Sequence, residues 1–364
     1  MHLFIFPTSD AWISSGSSHI DGTSYKDANF GQDEILELKK EFFNQTFDYP
    51  TRVFINFAGT DFTTLSASVA DGTISSPRYY LRLYEAEGNQ ELSTEYNLTT
   101  NPLSQRWDEG VGKFDDRPKV TNGVSWENRF NKPSAAALTW NLPGGSYYSG
   151  SGDEASQSFS YQKVDVEMDV TSIVTNWLDG TNSNYGFLVK FSGSQETDSE
   201  IFGQLKFFSS NTNTIYSPKL EVRWDDKSFS TGSLTELTMS GLADNYLYSK
   251  GLRNSYKEND KVKFRVGARK RYIQKTFNTS VQTVSSSFIT EDSGSYSIID
   301  VATGEEVVPF SDYTKLSCDS TSNYFIQWLN GFYPDRVYKI LYKLKYDDGQ
   351  EQIFDENFEF KVKR

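Results

Sequence analysis

The most conspicuous carboxylates lie in "RWDEGVGKFDDR", where Asp108 and Glu109 precede a glycine-rich turn and Asp115 and Asp116 follow it. Paired acids of this kind could supply the acid and base of a glycosidase or the ligands of a calcium ion. Glycoside hydrolysis needs carboxyl groups about 5 to 9.5 Å apart, a distance that spacing along a loop does not fix. Because the chain contains 49 acidic residues, we interpret these pairs as solvated turns and predict no enzyme activity.

Other residue types that could do chemistry are scarce. His2 and His19 are the only histidines, and neither has neighbours typical of a catalytic or zinc site. Cys318 is the only cysteine, so an intrachain disulfide is impossible and we expect a small buried side chain in a protein assembled in the cytosol. The segment 179–186, "DGTNSNYG", lacks the spacing and the distal Glu of a calcium loop. The sequence therefore predicts no catalytic residue, cofactor or metal.

Three tryptophans are the first candidates for binding. Trp107, Trp126 and Trp140 lie in a region, residues 87–162, that we expect to be poor in strands. Their rings could stack on sugars, close part of the core, or pack against another subunit. In the same region the Gly- and Ser-rich segment 143–160, "PGGSYYSGSGDEASQSFS", is predicted to be a surface loop or an arm that becomes ordered on assembly.

A cluster of basic residues is the second candidate. "GARKRYIQK" contains Arg269, Lys270, Arg271 and Lys275 in a chain with a net charge of -13 and a pI near 4.8. The acidic balance disfavours nucleic-acid binding, which depends on neutralising phosphates with Lys and Arg. We interpret the cluster as a docking patch for an acidic surface of another copy or another protein, with a solvated hairpin tip as the alternative.

Elements that would position these residues read almost entirely as strands. Segments rich in aromatic and β-branched residues alternate with Gly, Pro, Asn and Ser. "DEILELKKEFF" (residues 33–43) is ambiguous, but its alternation favours a strand. The clearest predicted strands are "RVFINF", "RYYLRLYEA", "KVDVEMDV", "FLVKF", "KLEVRW", "KVKFRVGA", "YSIID", "NYFIQWL", "RVYKILYKLKY" and "NFEFKVK".

The segment "VDVEMDVTSIVTNWLDGTNSNYGFLVKF" combines several signals. Asp165, Glu167 and Asp169 alternate with apolar residues, as the solvent side of a half-buried strand does. Thr171 is predicted to cap a short helix, and Trp177 to lie on the buried face of that helix and close the end of a sandwich. The turn that follows returns the chain into another strand.

Two domains are expected, because 364 residues exceed what one core usually holds. The Ser, Thr and Gly cluster after Trp224 marks the boundary. We therefore predict domains 1–226 and 237–364, joined by a linker at 227–236. The predicted class is all-β, with an N-terminal jelly roll or β-sandwich that carries a short plugging helix and a C-terminal Ig-like β-sandwich.

The first domain resembles a known family. "VDVTSIVTNWLDGTNSNYGFLV" is similar to the DNRLRE β-sandwich repeat, in which a strand ending in Val-Thr, a short helix with Trp and an Asn-x-Gly turn recur. "SDAWISSGSS", "ANFGQDEILEL", "TRVFINF", "YYLRLYEAE", "RWDEGVGKF", "NGVSW" and "SPKLEVRW" follow the order of that family. The resemblance covers about residues 1–225. It implies a surface or virion location and assigns no catalytic residues.

The second domain resembles a C-terminal β-domain of structural proteins in tailed bacteriophages of marine and cyanobacterial hosts. The similarity rests on "KVKFRVGARKRY", "SYSIIDVATGEEVVPF", "FEFKV" and the strands between them. With it, the sequence predicts a non-enzymatic virion structural protein at the neck, tail or capsid exterior. Its partners would be other virion proteins and copies of itself, with assembly in the host cytoplasm and no membrane insertion. The alternatives are a carbohydrate-binding adhesin that contacts a host glycan and, less directly, a glycan-degrading enzyme.

Overall fold

The protein divides into two compact units, which are described separately. A computed structural model describes residues 1–18, 21–43, 46–88, 96–159, 165–198, 204–240, 244–273, 277, 281 and 285–364. The N-terminal unit comprises Ile5–Asp71 and Arg78–Val222, and the C-terminal unit comprises Met1–Phe4, Gly72–Pro77 and Arg223–Arg364. Both units are built from β-sheets of sandwich type, which confirms the predicted all-β class.

The chain begins with β1 (His2–Ile5) and then enters the N-terminal unit. The strands of this unit are β2 (Pro7–Ser14), β3 (Ile35–Phe43), β4 (Thr46–Phe57), β5 (Arg78–Leu83), β6 (Glu85–Gly88), β7 (Tyr96–Pro102), β8 (Asn128–Lys132), β9 (Ala135–Thr139), β10 (Ala155–Phe159), β11 (Val166–Asp169), β12 (Phe187–Phe191), β13 (Gln204–Phe208) and β14 (Lys219–Arg223). Its helices are α1 (Gly59–Ala70), α2 (Thr171–Leu178) and α3 (Gly193–Thr197).

The larger sheet of this unit has the order β10-β7-β12-β4-β3-β13-β6, and β2 also pairs with β4. A smaller sheet contains β14, β5 and β11 side by side. The predicted strand at "DEILELKKEFF" is confirmed as β3, which pairs antiparallel with β4 and β13. Most neighbours in the larger sheet are therefore distant in sequence, so its core forms from long-range pairing.

Central strands of the larger sheet are covered on both faces. All five residues of β12 are buried, and β4 contributes Phe54 and Ile55, each with no exposed surface. Because successive side chains of a strand point to opposite faces, Phe54 and Ile55 are buried on opposite faces of the sheet. Phe54 and Leu188 pack in a cluster with the loops that follow β7. On the other face Phe57 meets Phe187, with ring centroids 6.0 Å apart.

Helix α2 covers that second face. Trp177 is 8% exposed, and its ring centroid lies 4.6 Å from Phe187 and 5.6 Å from Phe62 of α1. The predictions of a helix and a buried Trp177 are therefore confirmed. The predicted cap is wrong: Thr171 is the first helical residue, Val170 is the N-cap, and the Thr171 hydroxyl instead accepts a hydrogen bond from the Tyr79 amide at 3.0 Å.

The preceding strand has the expected polarity. Along β11, Val166 and Met168 are each 1% exposed, whereas Glu167 and Asp169 face solvent. Asp165, just before the strand, is also exposed. The alternation that we predicted for this stretch is confirmed, and its acidic residues do not line a buried site.

The C-terminal unit contains two further sheets. Its strands are β15 (Thr235–Glu236), β16 (Asn245–Lys250), β17 (Ser255–Lys257), β18 (Lys261–Lys270), β19 (Ser287–Phe288), β20 (Gly294–Asp300), β21 (Glu306–Val308), β22 (Ser317–Cys318), β23 (Asn323–Trp328), β24 (Val337–Lys345) and β25 (Glu351–Lys363), with a 3-10 turn at Asp312–Thr314. One sheet has the order β15-β19-β18-β23-β22 with β16 added to β18, and the other has the order β17-β25-β24-β20-β21. Tyr296 and Phe325 stack between them at 3.7 Å.

Two segments differ from their predictions. The region 87–162 contains β7, β8, β9 and β10, and β10 lies within the segment that we predicted to be a loop or arm, where it pairs with β7. The segment predicted as a linker belongs to the C-terminal unit: the amide of Ser228 donates to Ser317 Oγ at 3.1 Å, and that of Ser230 to the Cys318 carbonyl at 3.0 Å. Backbone pairing with distant partners explains both differences, since neither segment has a strong apolar pattern of its own.

Candidate binding surfaces

The predicted tryptophans come together in the N-terminal unit. Trp107 and Trp140 are 9% and 4% exposed and belong to the cluster that covers Phe54 and Leu188. Their indole N–H groups donate to the carbonyl oxygens of Tyr185 at 2.9 Å and Ser125 at 3.0 Å. These two rings close the outer face of the sheet, which matches the core interpretation. Neither presents an open ring face on which a sugar could stack.

Trp126 lies at the rim of the same cluster and is half-buried. The guanidinium carbon of Arg52 lies 5.0 Å from the centroid of the Trp126 ring. The Trp126 carbonyl accepts a hydrogen bond from the Gly144 amide at 2.7 Å. A Cβ on Gly144 would come within 2.7 Å of the indole. The ring thus packs against a cation and against the Gly144 backbone.

Asn29 fixes the loop that carries the predicted carboxylates. Its Nδ2 donates to the carbonyls of Glu109 and Val124, both at 2.7 Å, and its Oδ1 accepts from the Gly112 amide at 2.8 Å. Gly110 has φ +88°, and a Cβ there would lie 2.2 Å from the Asn122 carbonyl oxygen. The glycines of "DEGVGKF" are therefore required by close backbone packing and do not form a mobile turn.

This loop forms one wall of a cleft of about 760 Å³ in the N-terminal unit. Its lining is mixed in chemistry, with amides, both signs of charge and aromatic edges. Lys132 Nζ lies 3.2 Å from Asp108 Oδ2 across the wall. The cleft is lined by Ser9, Asn56, Phe57, Gly59, Arg106, Trp107, Asp108, Glu109, Gly110, Val111, Asn122, Lys132, Asn184 and Tyr185.

A buried carboxyl group lies behind this wall. Asp10 has no exposed surface, and its backbone amide donates to Glu109 Oε1 at 3.2 Å, while Asp10 Oδ2 accepts from the Ser210 amide at 2.6 Å. Desolvation, with a smaller contribution from Glu109, raises the pKa of Asp10 to about 7. Desolvation also raises the pKa of Glu109, with Asp108 adding to the effect. Of the four acids that we singled out, Asp108 and Glu109 reach the cleft.

The remaining pair has a local role. Asp116 Oδ2 accepts a hydrogen bond from the Lys113 amide at 2.6 Å, which closes the turn after the glycines. Asp115 is exposed, and neither residue lines the cleft. Asp115 and Asp116 thus behave as the predicted turn residues, whereas Asp10 was not visible as a partner of Glu109 because the two are 99 positions apart.

A hairpin formed by β8 and β9 stands apart from the two sheets of this unit. In the described chain β9 pairs only with β8, so its other edge has free backbone groups. All five residues of β9, "AAALT", are exposed, and Leu138 is 44% exposed. Leu142, three residues after β9, is 56% exposed. An apolar strand with an open edge is the kind of element to which another chain adds a strand.

In the C-terminal unit, β16, β18 and β23 present a surface that we call the cationic face. Register places Lys250 opposite Arg265, Tyr248 opposite Gly267 and Tyr246 opposite Arg269. On the other edge of β18, register places Lys261 opposite Trp328, Lys263 opposite Ile326 and Arg265 opposite Tyr324. The side chains that share this outward side are Tyr246, Tyr248, Lys250, Lys261, Lys263, Arg265, Arg269, Tyr324, Ile326 and Trp328.

The predicted basic cluster contributes one end of this face. Arg269 and Lys270 end β18, and Arg271 follows them, with its Nε 3.0 Å from Asp244 Oδ1. Arg269 and Arg271 lie 4.7 and 6.0 Å from the ring centroid of Tyr246. Lys275 lies outside the described residues. The described part of the cluster therefore lies at and just after the end of β18.

Sequence reasoning missed the rest of the cationic face. Lys261, Lys263 and Arg265 recur at every second position of "KVKFRVGARK", so a period of two in charge was visible. What the sequence could not show is that β16 and β23 flank β18 and add aromatic residues to the same side.

Cys318 and Asp179 have the structural roles that their sequence contexts suggest. Cys318 is 1% exposed, and desolvation raises its thiol pKa to about 11. His2 is buried, and His19 lies outside the described residues. Asp179 Oδ1 accepts from the Thr181 amide at 2.9 Å, an Asx turn. Within the described ranges, no group of three or more His, Cys, Asp or Glu side chains is placed to hold a metal ion.

No protein-family model matches the chain, and no curated protein is significantly similar to it. Among the helices that the structure describes, none has the length and apolar character needed to cross a bilayer.

Proposed function

We propose that the protein is a non-enzymatic structural component of a tailed-phage particle, located at the neck, tail or capsid exterior. It acts by binding other virion proteins and copies of itself. The sequence resemblances of both domains suggest the phage particle. The structural observation that carries the binding role is the open-edged β8–β9 hairpin.

An exposed apolar strand edge is a hazard for a protein that works alone. Natural sheets protect their edges with charges, prolines or covering segments, since a free edge pairs readily with another strand. Along β9 the exposed side chains are three alanines, Leu138 and a threonine, with no charge among them. Small side chains let a second strand approach closely, and the free backbone groups supply the hydrogen bonds. This edge supports a role as a permanent subunit contact.

Immunogold labelling tests the location. Antibodies raised against the purified chain are applied to tailed-phage particles from the source culture, and the particle proteins are identified by mass spectrometry. We expect labelling at one recurrent position on each particle. Finding the chain only in the soluble fraction, with unlabelled particles, would overturn the proposal.

A pull-down tests the hairpin. The immobilised chain should retain particle proteins after the particles are dissociated, and a variant with Ala137→Asp and Leu138→Asp should retain much less. Ala67→Asp with Ala70→Asp, on the exposed side of α1, adds the same charge elsewhere and serves as the control. Equal retention by both variants would exclude the hairpin as the contact.

The cleft favours a second candidate, a carbohydrate-binding adhesin. Amide, carboxylate and cationic side chains with aromatic edges are the groups that fix polar ligands in pockets. Here Asn122, Lys132 and Asn184 line the cleft. Of the predicted tryptophans, Trp107 and Trp140 are buried, and Trp126 does not line the cleft. A glycan array is the test: specific binding that is lost in Asn122→Ala and Lys132→Ala, but kept in the exposed control Lys113→Ala, would favour the adhesin.

A further inference from the structure

The cationic face stands out because five cations and four aromatic rings share one side of three strands. In the middle of β18 the inward residues are apolar and buried, with Phe264 at 3% and Val266 and Ala268 at 0% exposure. The outward row of the same strand is Lys261, Lys263, Arg265, Gly267 and Arg269. No outward position of these described strands carries a carboxylate. The outward side therefore differs from the inward side in being positively charged as well as polar.

Aromatic rings hold the cations in place. Lys263 Nζ lies 3.5 Å from the centroid of the Tyr324 ring, and Lys261 Nζ lies 5.2 Å from that of Trp328. Cation–π contacts of this kind restrict long side chains that would otherwise be free to move. Because the cations lie over the rings, these rings are not open for stacking on bases or sugars.

Gly267 allows the aromatic row to lie flat on the sheet. A Cβ at Gly267 would lie 2.4 Å from Cζ of Tyr248, so only glycine admits the ring across the strand. The Tyr248 hydroxyl donates to Ser286 Oγ at 3.1 Å, which fixes the ring there. The surface is thus preorganised, and binding to it costs little side-chain entropy.

One carboxylate from a neighbouring loop offsets part of the charge. Asp319 lies 2.9 Å from Lys263 Nζ and 2.8 Å from Arg265 NH2. These hydrogen bonds hold the pKa of Asp319 far below its usual range. Among the described residues, Asp319 pairs with neither Lys250, Lys261 nor Arg269. The face therefore keeps an excess of positive charge.

The matching charge is found in the N-terminal unit. Its two segments contain 16 Lys and Arg and 29 Asp and Glu, a net charge of 16 - 29 = -13. The C-terminal unit holds the other 36 - 16 = 20 basic and 49 - 29 = 20 acidic residues and is neutral. The whole acidic excess of the chain thus lies in one unit, while the clearest basic surface lies in the other.

We propose that the cationic face binds the acidic N-terminal unit of a second copy of this chain. The inference deepens and rests on the proposed function, since it names the self-contact of a particle component. Contact between unlike surfaces is head-to-tail, and a repeated head-to-tail contact builds a ring when the rotation between copies closes and a filament when it does not. Electrostatic complementarity sets orientation and speeds encounter, and the association weakens as salt screens the charges.

Sedimentation velocity and native mass spectrometry of the full chain test the proposal at low and high ionic strength. We expect concentration-dependent dimers or larger rings at low salt, which dissociate at high salt. Replacing Lys261→Glu and Arg269→Glu should weaken association by about tenfold or more. The control, Lys339→Glu with Lys343→Glu, makes the same charge change on the outward side of β24 and should change association by less than about twofold.

Circular dichroism and thermal unfolding of each variant show whether it is folded. A wild-type chain that stays monomeric at every concentration, or association that survives the Lys261→Glu and Arg269→Glu change, would overturn the proposal. Binding of single-stranded DNA or an anionic polysaccharide at this face, without self-association, would also overturn it. Immunogold labelling of particles would be unaffected by that failure, so the location and the self-contact are tested separately.

Discussion

Arg52 and Glu196, 144 positions apart in the sequence, form a buried two-point ion pair in the N-terminal unit. Arg52 Nε lies 2.7 Å from Oε1, and NH2 lies 3.0 Å from Oε2. Lys190 Nζ lies 3.4 Å from Oε2, so one carboxylate of α3 serves cations from β4 and β12. Arg52 NH1 also donates to the Gly144 carbonyl at 2.8 Å. The pair ties a short helix and a loop to the larger sheet.

Replacing Glu196→Ala should leave two buried cations without their carboxylate and lower the free energy of unfolding by about 3 to 5 kcal/mol. Urea denaturation followed by circular dichroism measures the change. Asp108→Ala breaks the ion pair with Lys132, whose two side chains are both partly exposed, and should cost less than about 1 kcal/mol. If the two variants lose similar amounts of unfolding free energy, then the buried pair does not stabilise the unit more than an exposed pair does.

The buried Asp10 predicts a dependence of stability on pH. Its folded pKa of about 7 lies above the ordinary value of 3.8, so the folded state holds a proton that the unfolded state releases. The contribution of the neutral carboxyl is complete below about pH 4 and is lost as the pH rises towards about 7. Urea midpoints across this range should show Asp10→Asn falling less steeply than wild type.

Asp115→Asn is the matched control for Asp10→Asn, since Asp115 is exposed on the surface of the same unit. It should keep the wild-type pH profile. If Asp10→Asn and wild type respond to pH in parallel, then Asp10 is ionised in the folded protein and the prediction is wrong.

Two glycines separate backbone strain from close packing. Gly180 has φ +80° with no neighbouring atom within 4 Å of a built Cβ, whereas Gly110 has φ +88° and the Asn122 oxygen at 2.2 Å. Gly180→Ala should cost about 1 kcal/mol from the left-handed conformation alone. Gly110→Ala should cost about 1 to 3 kcal/mol more, because the packed loops must move apart. Thermal unfolding compares them, and equal losses would contradict the packed arrangement.

Cys318 should be unreactive in the native protein. Burial, with the nearby Asp319, raises its thiol pKa to about 11, and its side chain is almost fully covered. Thiolate is the reactive form, so a disulfide reagent that reports thiols by absorbance should detect the single thiol only after denaturation. Rapid labelling of the native chain would show that β22 opens readily.

Strands that cover a hydrophobic layer on one face were predictable from their alternation. The segments now seen as β11, β18 and β24 show apolar and polar residues in turn, and α2 carries its apolar residues at helical spacing. Helix α1 gave no such signal, since only Phe62 and Leu65 of its residues are buried. The hairpin strand β9 could not be expected either, because "AAALT" has neither alternation nor β-branched residues apart from its threonine.

The binding surfaces were predictable only in part, because they depend on pairing between distant segments. The sequence left three roles open for Trp107 and Trp140, and they are buried because central strands β4 and β12 need a cover on a second face. Arg269 and Arg271 were recognised as basic, but the aromatic row beside them comes from β16 and β23. Glu109 was recognised as a carboxylate, but its neighbour Asp10 belongs to the first strand of its unit.

The two units are interleaved along the chain, which limits how the protein can be divided. The path changes unit after Phe4, Asp71, Pro77 and Val222. A chain truncated to residues 223–364 would lack Met1–Phe4, although Gln327 Nε2 donates to the His2 carbonyl at 3.0 Å within that unit. Expression of residues 223–364 alone would therefore give an incomplete C-terminal unit, and a single proteolytic cut after Val222 would not release that unit intact.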